Sequence, residues 1–140
     1  MKYEKLIVGL IAGFVVTGLS IFWLESLGKT FFDEYKNAPY DPELLDQFVM
    51  ILPTGAFIAL LLAHVIGIFL GTLTASYISK WKRYVPAVVI GVILGSFSII
   101  NASEIQNPFW YSILDIALVI PTALFAHWIY LTKVTDPLKV

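Results

Sequence analysis

The chain has 140 residues, of which 59% are hydrophobic and 14% charged, and its mean hydropathy is +0.83. Soluble domains are about 45–50% apolar and about 25% charged, so a chain this short has too little interior to hide its apolar surface from water, and a lipid bilayer is the expected solvent. A net charge of −1 lacks the basic excess that nucleic-acid binding requires, and the lack of cysteine removes disulfides, thiol redox chemistry and thiolate metal sites together.

The first span opens behind Lys2, Glu4 and Lys5 with an uncharged run over residues 6–24. Nineteen residues rise about 28 Å, close to the hydrocarbon thickness of about 30 Å. A cleaved signal peptide is the competing reading, because the start is basic and Gly18 and Ser20 are small. The run is long for that, and it ends at Trp23 and Glu25 like a segment meeting an interface. The span is expected over about residues 6–27, with Gly9, Gly13, Thr17 and Ser20 forming a stripe of small residues.

Residues 29–47 are the one long polar stretch. Thr30 and Asp33 have capping-box spacing, and Asp41, Pro42 and Glu43 read as N-cap, first helical position and first-turn acid. One or two short amphipathic helices are expected here, dipping Phe31, Phe32, Leu44 and Leu45 into the interface. Six acids between Glu25 and Asp46 face only Lys29 and Lys36, which reads as a solvated loop, or alternatively as a cation-attracting mouth.

Residues 48–79 contain no Lys, Arg, Asp or Glu. Thirty-two helical residues would run about 48 Å, so Pro53 is expected to start or kink the second span, set at 53–79. A basic turn, Lys80 to Arg83, leads to a third span over 84–100 with Pro86 near its start. Ala87, Gly91, Gly95 and Ser98 share one of its faces. A polar loop over 101–108 follows, containing a glycosylation sequon at Asn101. Asn107 and Pro108 then open a fourth span, expected over 109–131 and interrupted by Asp115 and Pro121.

Seven basic residues (Lys2, Lys5, Lys80, Lys82, Arg83, Lys133, Lys139) fall at one end of such a bundle and two at the other. That bias predicts a multi-pass protein of the cell inner membrane with both termini cytoplasmic. Aromatic residues agree: Tyr3, Tyr77, Trp81, Tyr84, Trp128 and Tyr130 fall at the inner boundary, and Trp23, Trp110 and Tyr111 at the outer one. The predicted fold is all-α, a four-helix up-down antiparallel transmembrane bundle in a single domain spanning 1–140, with a short amphipathic outer helix after the first span.

Two constellations are candidates for function. Gly67, Gly71 and Ala75, Gly91 and Gly95, and Gly9 and Gly13 repeat at intervals of four, which puts each set on one helix face. They are expected to pack spans one to three together, or to pair the chain with a second copy or another membrane protein. His64 and Asp115 are the second. They lie about 23 and 24 Å above the basic end on antiparallel spans, so their depths match. Charge so deep needs a partner. His64 is the natural one for Asp115, with the hydroxyls of Thr54, Ser96 or Ser112 as alternatives. Thr122 shares the Asp115 face with Val119 and Ala126 and is a further lining candidate. His127, about one turn from the basic end, is expected to reach toward the interface.

No residue pair has metal-ligand spacing within a helix, and no nucleophile motif, phosphate loop or dinucleotide fingerprint occurs. No catalytic residue, metal or cofactor is expected, and an enzyme is not the expected function. The segment from Ala63 through His64, Gly67 and Gly71 to Ser76, with the glycine-rich third span and the Asn107-Pro108-Phe109-Trp110 start of the fourth, resembles small bacterial four-span membrane proteins of unassigned function. The resemblance covers roughly residues 50–131 and implies a fold and a bacterial inner membrane, without an activity. The expected function is a non-enzymatic membrane component that packs within an assembly. The alternative is a small oligomeric transporter or ligand-binding protein working at His64 and Asp115.

Overall fold

The computed structural model describes residues 2–39 and 41–134, with the side chains of Lys2, Tyr35, Pro42 and Glu43 left out. Lys139 of the basic tally lies outside the described residues, as does the Glu43 side chain proposed for the first turn of the amphipathic helix. Five α-helices follow in order: α1 (Lys2–Phe31), α2 (Pro42–Ile51), α3 (Thr54–Ser79), α4 (Val85–Glu104) and α5 (Phe109–Val134), with a 3₁₀ turn at Asp33–Asn37. α1, α3, α4 and α5 are long and apolar enough to cross a membrane, and among the described residues there is no strand.

The helices overrun the expected spans where nothing in the sequence stops them. α1 continues to Phe31, so Thr30 does not cap a new helix; its hydroxyl donates 2.6 Å to the carbonyl of Leu27 in the helix's own last turn. Past it, Lys36 pairs with Asp33 at 2.5 Å and holds that exposed carboxyl below its usual range by a hydrogen bond and by charge. α4 runs one turn past residue 100, so the Asn101 sequon sits in a helix, and Ile105 ends it in extended conformation. Neither Asp115 nor Pro121 breaks α5. α3 ends at Lys80, whose backbone adopts the left-handed conformation (φ 51°) and donates to Ser76 O at 3.0 Å, a C-cap more often made by glycine.

The bundle is apolar outside and small or polar inside. Ile7, Val8, Ile11, Val15, Leu19 and Phe22 of α1 are exposed, while Thr17, Thr72, Ser76, Ser79, Asp115 and His127 are buried. Water would favour the reverse; lipid tails solvate an Ile or Phe surface without cost, and helix contacts then rest on close backbone approach and internal hydrogen bonds. This arrangement supports a multi-pass membrane protein.

α1 and α3 make the most extensive contact, followed by α3 with α5 and α4 with α5, while α4 touches α1 and α3 only lightly. The order around the bundle is therefore α1, α3, α5, α4, with a loose seam between α4 and α1. The α1–α3 contact is built by glycines. A Cβ placed on Gly71 would collide with Thr17 Oγ1 and stand 2.5 Å from Gly13 O; one on Gly13 would stand 2.7 Å from Gly71 O; one on Gly9 would stand 2.8 Å from Ala75 O. At each of these glycines only a hydrogen atom fits. Ala75 is fully buried in the same contact. Gly67 meets Thr17 O and the side chain of Ile21. The stripe on α4 pairs with α5 and not with the first two spans, and less tightly: a Cβ on Gly91 would find Ile120 and Ala123 no nearer than 3.5 Å, and one on Gly95 finds Val119 at 4.0 Å.

Candidate functional site

Three helices deliver one ionisable side chain each to the half of the bundle nearer α2. His64 of α3 places Nδ1 2.6 Å from Asp115 Oδ1 of α5, so the imidazole N–H donates to the carboxylate. Its other nitrogen, Nε2, faces Glu25 Oε1 of α1 at 3.6 Å, an ion-pair distance longer than a hydrogen bond. Asp115 is 4% exposed, against 22% for His64 and 30% for Glu25. The pair is thus sunk at Asp115 and opens outward through His64 to Glu25. Ser98 of α4 lines the same cavity as Asp115, so all four long helices contribute a polar side chain to it.

The polar node of Glu25, His64 and Asp115 forms one wall of this cavity, whose volume is about 410 Å³. Ile68 and Leu94 lie at its apolar floor, and Phe57 and Tyr111 on one flank. α2 covers it with Leu45, Phe48 and Val49. α2 is pinned from the far side, where Asp46 accepts the backbone N–H of Gln106 at 3.0 Å. The cavity lies where the α1–α4 seam opens. At Gly13, Ile90 of α4 approaches within 3.1 Å of where a Cβ would stand, filling the seam; two to three turns on, the same seam is flanked by Ile21 and Glu25 opposite Phe97, Ser98 and Asn101.

Several residues singled out in the sequence fall elsewhere. Thr122 does not line the cavity, and Val119 of the same helix face is part of an apolar core with Ile68, Ala87 and Ala123. Ser96 is exposed and donates to Val92 O at 2.9 Å, and it is Ser98, two residues on, that lines the cavity. Thr54 and Ser112 do not reach the cavity lining. Tyr111 is 1% exposed and packs on Phe57 with ring centroids 5.4 Å apart, so it is a core residue and not an interfacial one. His127 does not reach outward either. It is fully buried among Tyr84 and Tyr130, and its Nδ1 lies 2.8 Å from Ser76 Oγ. The single Ser76 hydroxyl proton goes to Thr72 O at 2.7 Å, so the neutral ring with its proton on Nδ1 donates to Ser76. His127 Nε2, which meets no partner, then carries a lone pair and not an unsatisfied N–H.

Glu25 is the member of the node that the sequence did not suggest, because it reads as the polar end of a span. The signal was present in the spacing: residues 9, 13, 17, 21 and 25 form one i+4 row, and the row that makes the glycine contact with α3 ends at Glu25. Two carboxylates flank opposite edges of one imidazole. They therefore cannot converge on one ion, and among the described residues no group of three His, Asp or Glu side chains is arranged to hold a metal. What the node can do is exchange protons. With both carboxylates ionised and the imidazole protonated its net charge is −1, and one further proton makes it neutral. No family model matches the chain, and no curated protein or solved structure matches it.

Proposed function

We propose that the chain is a small ligand-binding membrane protein whose site is the cavity beneath α2, with Glu25, His64 and Asp115 as its polar recognition groups. The observation that carries this is the gathering of three ionisable groups from three helices, Asp115 buried and His64 and Glu25 half-buried, on the wall of a cavity of about 410 Å³. Ligand pockets are typically clefts of about 300–1,000 Å³ with apolar walls and few polar groups, and ionisable residues at membrane depth otherwise seldom occur. A packing or accessory role would have to use other faces, because the glycines of α1 and α3 are spent on each other and Gly91 on α5. The excess of basic residues at the other end of the bundle favours both termini in the cytoplasm of a bacterial inner membrane, with the cavity toward the outer side.

The test uses the absence of native cysteine. Ser98→Cys places a single thiol on the cavity wall. In proteoliposomes, a small water-soluble methanethiosulfonate is expected to label it, and labelling should be slowed when α2 is cross-linked to the 106–108 loop. If Lys36→Cys reacts while Ser98→Cys in folded protein does not, water-borne ligands have no path to the cavity and the proposal fails. With an impermeant reagent, reaction of Lys82→Cys from the outer side would overturn the orientation.

A further inference from the structure

We infer that the occupant of this cavity is a monovalent organic cation, an ammonium group on an apolar body, and that it enters in exchange for one proton. The inference rests on the cavity being the binding site proposed above and adds the chemical class of its ligand.

Charge selects the ligand class. Among the described residues, the ionisable groups facing the cavity are Glu25 from α1, His64 from α3 and Asp115 with the Tyr111 phenol from α5; the described side chains of α2 and α4 contribute none to its lining, and no described Lys or Arg lines it. An anion would therefore find a single candidate counter-charge, His64, and both nitrogens of that ring already face carboxylates. A neutral ligand would leave an ionised node at −1, a charge that an apolar interior tolerates poorly. Two kinds of species neutralise it: a proton or a cation.

The walls select the kind of cation. Opposite carboxylates straddling one ring do not make a coordination shell, which disfavours a bare metal ion. Phe48, Phe57, Phe97 and Tyr111 line the same space, and aromatic faces attract ammonium groups while accommodating an apolar body. Proton and cation then compete for one unit of negative charge. Loading proceeds as the proton-bearing neutral node plus cation going to the cation-bearing ionised node plus one released proton, so charge and protons balance.

The test is calorimetric titration of the protein in phosphatidylcholine nanodiscs, with empty nanodiscs as control. The probes are benzyltrimethylammonium, the neutral N,N-dimethylbenzamide and the anion benzenesulfonate. Repeating the titration in two buffers of different ionisation enthalpy counts the protons. The cation is expected to bind at least tenfold tighter than the neutral amide, benzenesulfonate should not bind, and about one proton should leave per cation. Glu25→Gln should lose at least tenfold in affinity together with the proton release. Should Glu25→Gln not fold, Phe97→Leu tests the aromatic wall and should weaken the cation more than the amide. Equal binding of amide and cation, preferential binding of the sulfonate, or unchanged affinity in Glu25→Gln overturns the cation assignment and leaves the binding cavity standing. If no probe binds, the assignment also falls, and Ser98→Cys labelling decides separately whether the cavity proposal falls with it.

Discussion

Replacing Gly71 by alanine tests the contact on which the bundle depends most. The new Cβ would stand 2.5 Å from Gly13 O, about 0.5 Å closer than Cβ atoms come to a non-bonded heavy atom, and would also meet Thr17 Oγ1. The hydroxyl can rotate away, but the Gly13 carbonyl is held in helical backbone, so α1 and α3 must separate. A gap of about 0.5–1 Å forfeits a quarter to a half of each dispersion contact across the interface, and comparable overpacking costs about 1–3 kcal/mol. Alanine returns part of this through its better helix propensity, about 0.8–1 kcal/mol over glycine. The expected net loss is about 1 kcal/mol. Gly91→Ala is the matched control: its Cβ meets nothing closer than 3.5 Å, so only the propensity gain remains and stability should hold or rise by about 0.5 kcal/mol. Reversible unfolding in mixed micelles by added dodecyl sulfate, followed by tryptophan fluorescence, measures both. Equal stability of Gly71→Ala and the parent, or equal loss in the two variants, would show that the backbones do not meet at Gly71.

Ser76→Ala removes the acceptor of the buried His127 Nδ1–H at 2.8 Å and should cost about 1–3 kcal/mol in the same unfolding assay, whereas Thr74→Ala, which removes a hydroxyl bonded within its own helix, should cost under about 0.5 kcal/mol. Asp46→Ala frees the Gln106 N–H that pins α2, so amide exchange of Gln106 and of α2 should speed up severalfold while α3 and α5 are unchanged; uniform acceleration would mean that the bond is not specific to α2.

The bundle was legible because lipid imposes few solutions. Long uncharged runs must be helices, and four of them bounded by basic and acidic loops leave little choice of architecture. Helix ends were less legible, because α1 and α4 run on through polar residues that carry no breaker, and a polar residue ends a span without ending a helix. The His64–Asp115 proximity could be anticipated from depth alone, since two helices that cross the same slab in opposite directions share a level where their counts agree. Ser98, Glu25 and the buried states of Tyr111 and His127 depend on the rotation of each helix about its axis. Rotation is set by which small residues meet, and three similar glycine stripes do not say which pairs with which. Placing α4 against α5, and not against α1, is the step that puts Ser98 on the cavity wall with Asp115 and leaves the seam beside Glu25 open.

The same pairing explains how a bundle this small encloses a usable volume. Gly9, Gly13, Gly71 and Ala75 draw α1 and α3 into backbone contact along the end that carries the basic turn, and Gly13 leaves room for Ile90, which closes the α1–α4 seam there. Beyond that level α1 presents Ile21 and Glu25, and α4 presents Ser98 and Asn101, all of which line the cavity. The void that results would be unstable in lipid if its walls carried unpaired charge, so His64 bridging Glu25 and Asp115 is what permits the seam to stay open. Tight glycine packing at one end and the charged node at the other are therefore one device. A substitution that spreads α1 from α3 at Gly71 should also disturb the distance between Glu25 and His64 some five turns of α1 and α3 away from the basic end, linking the stability of the bundle to the shape of its site.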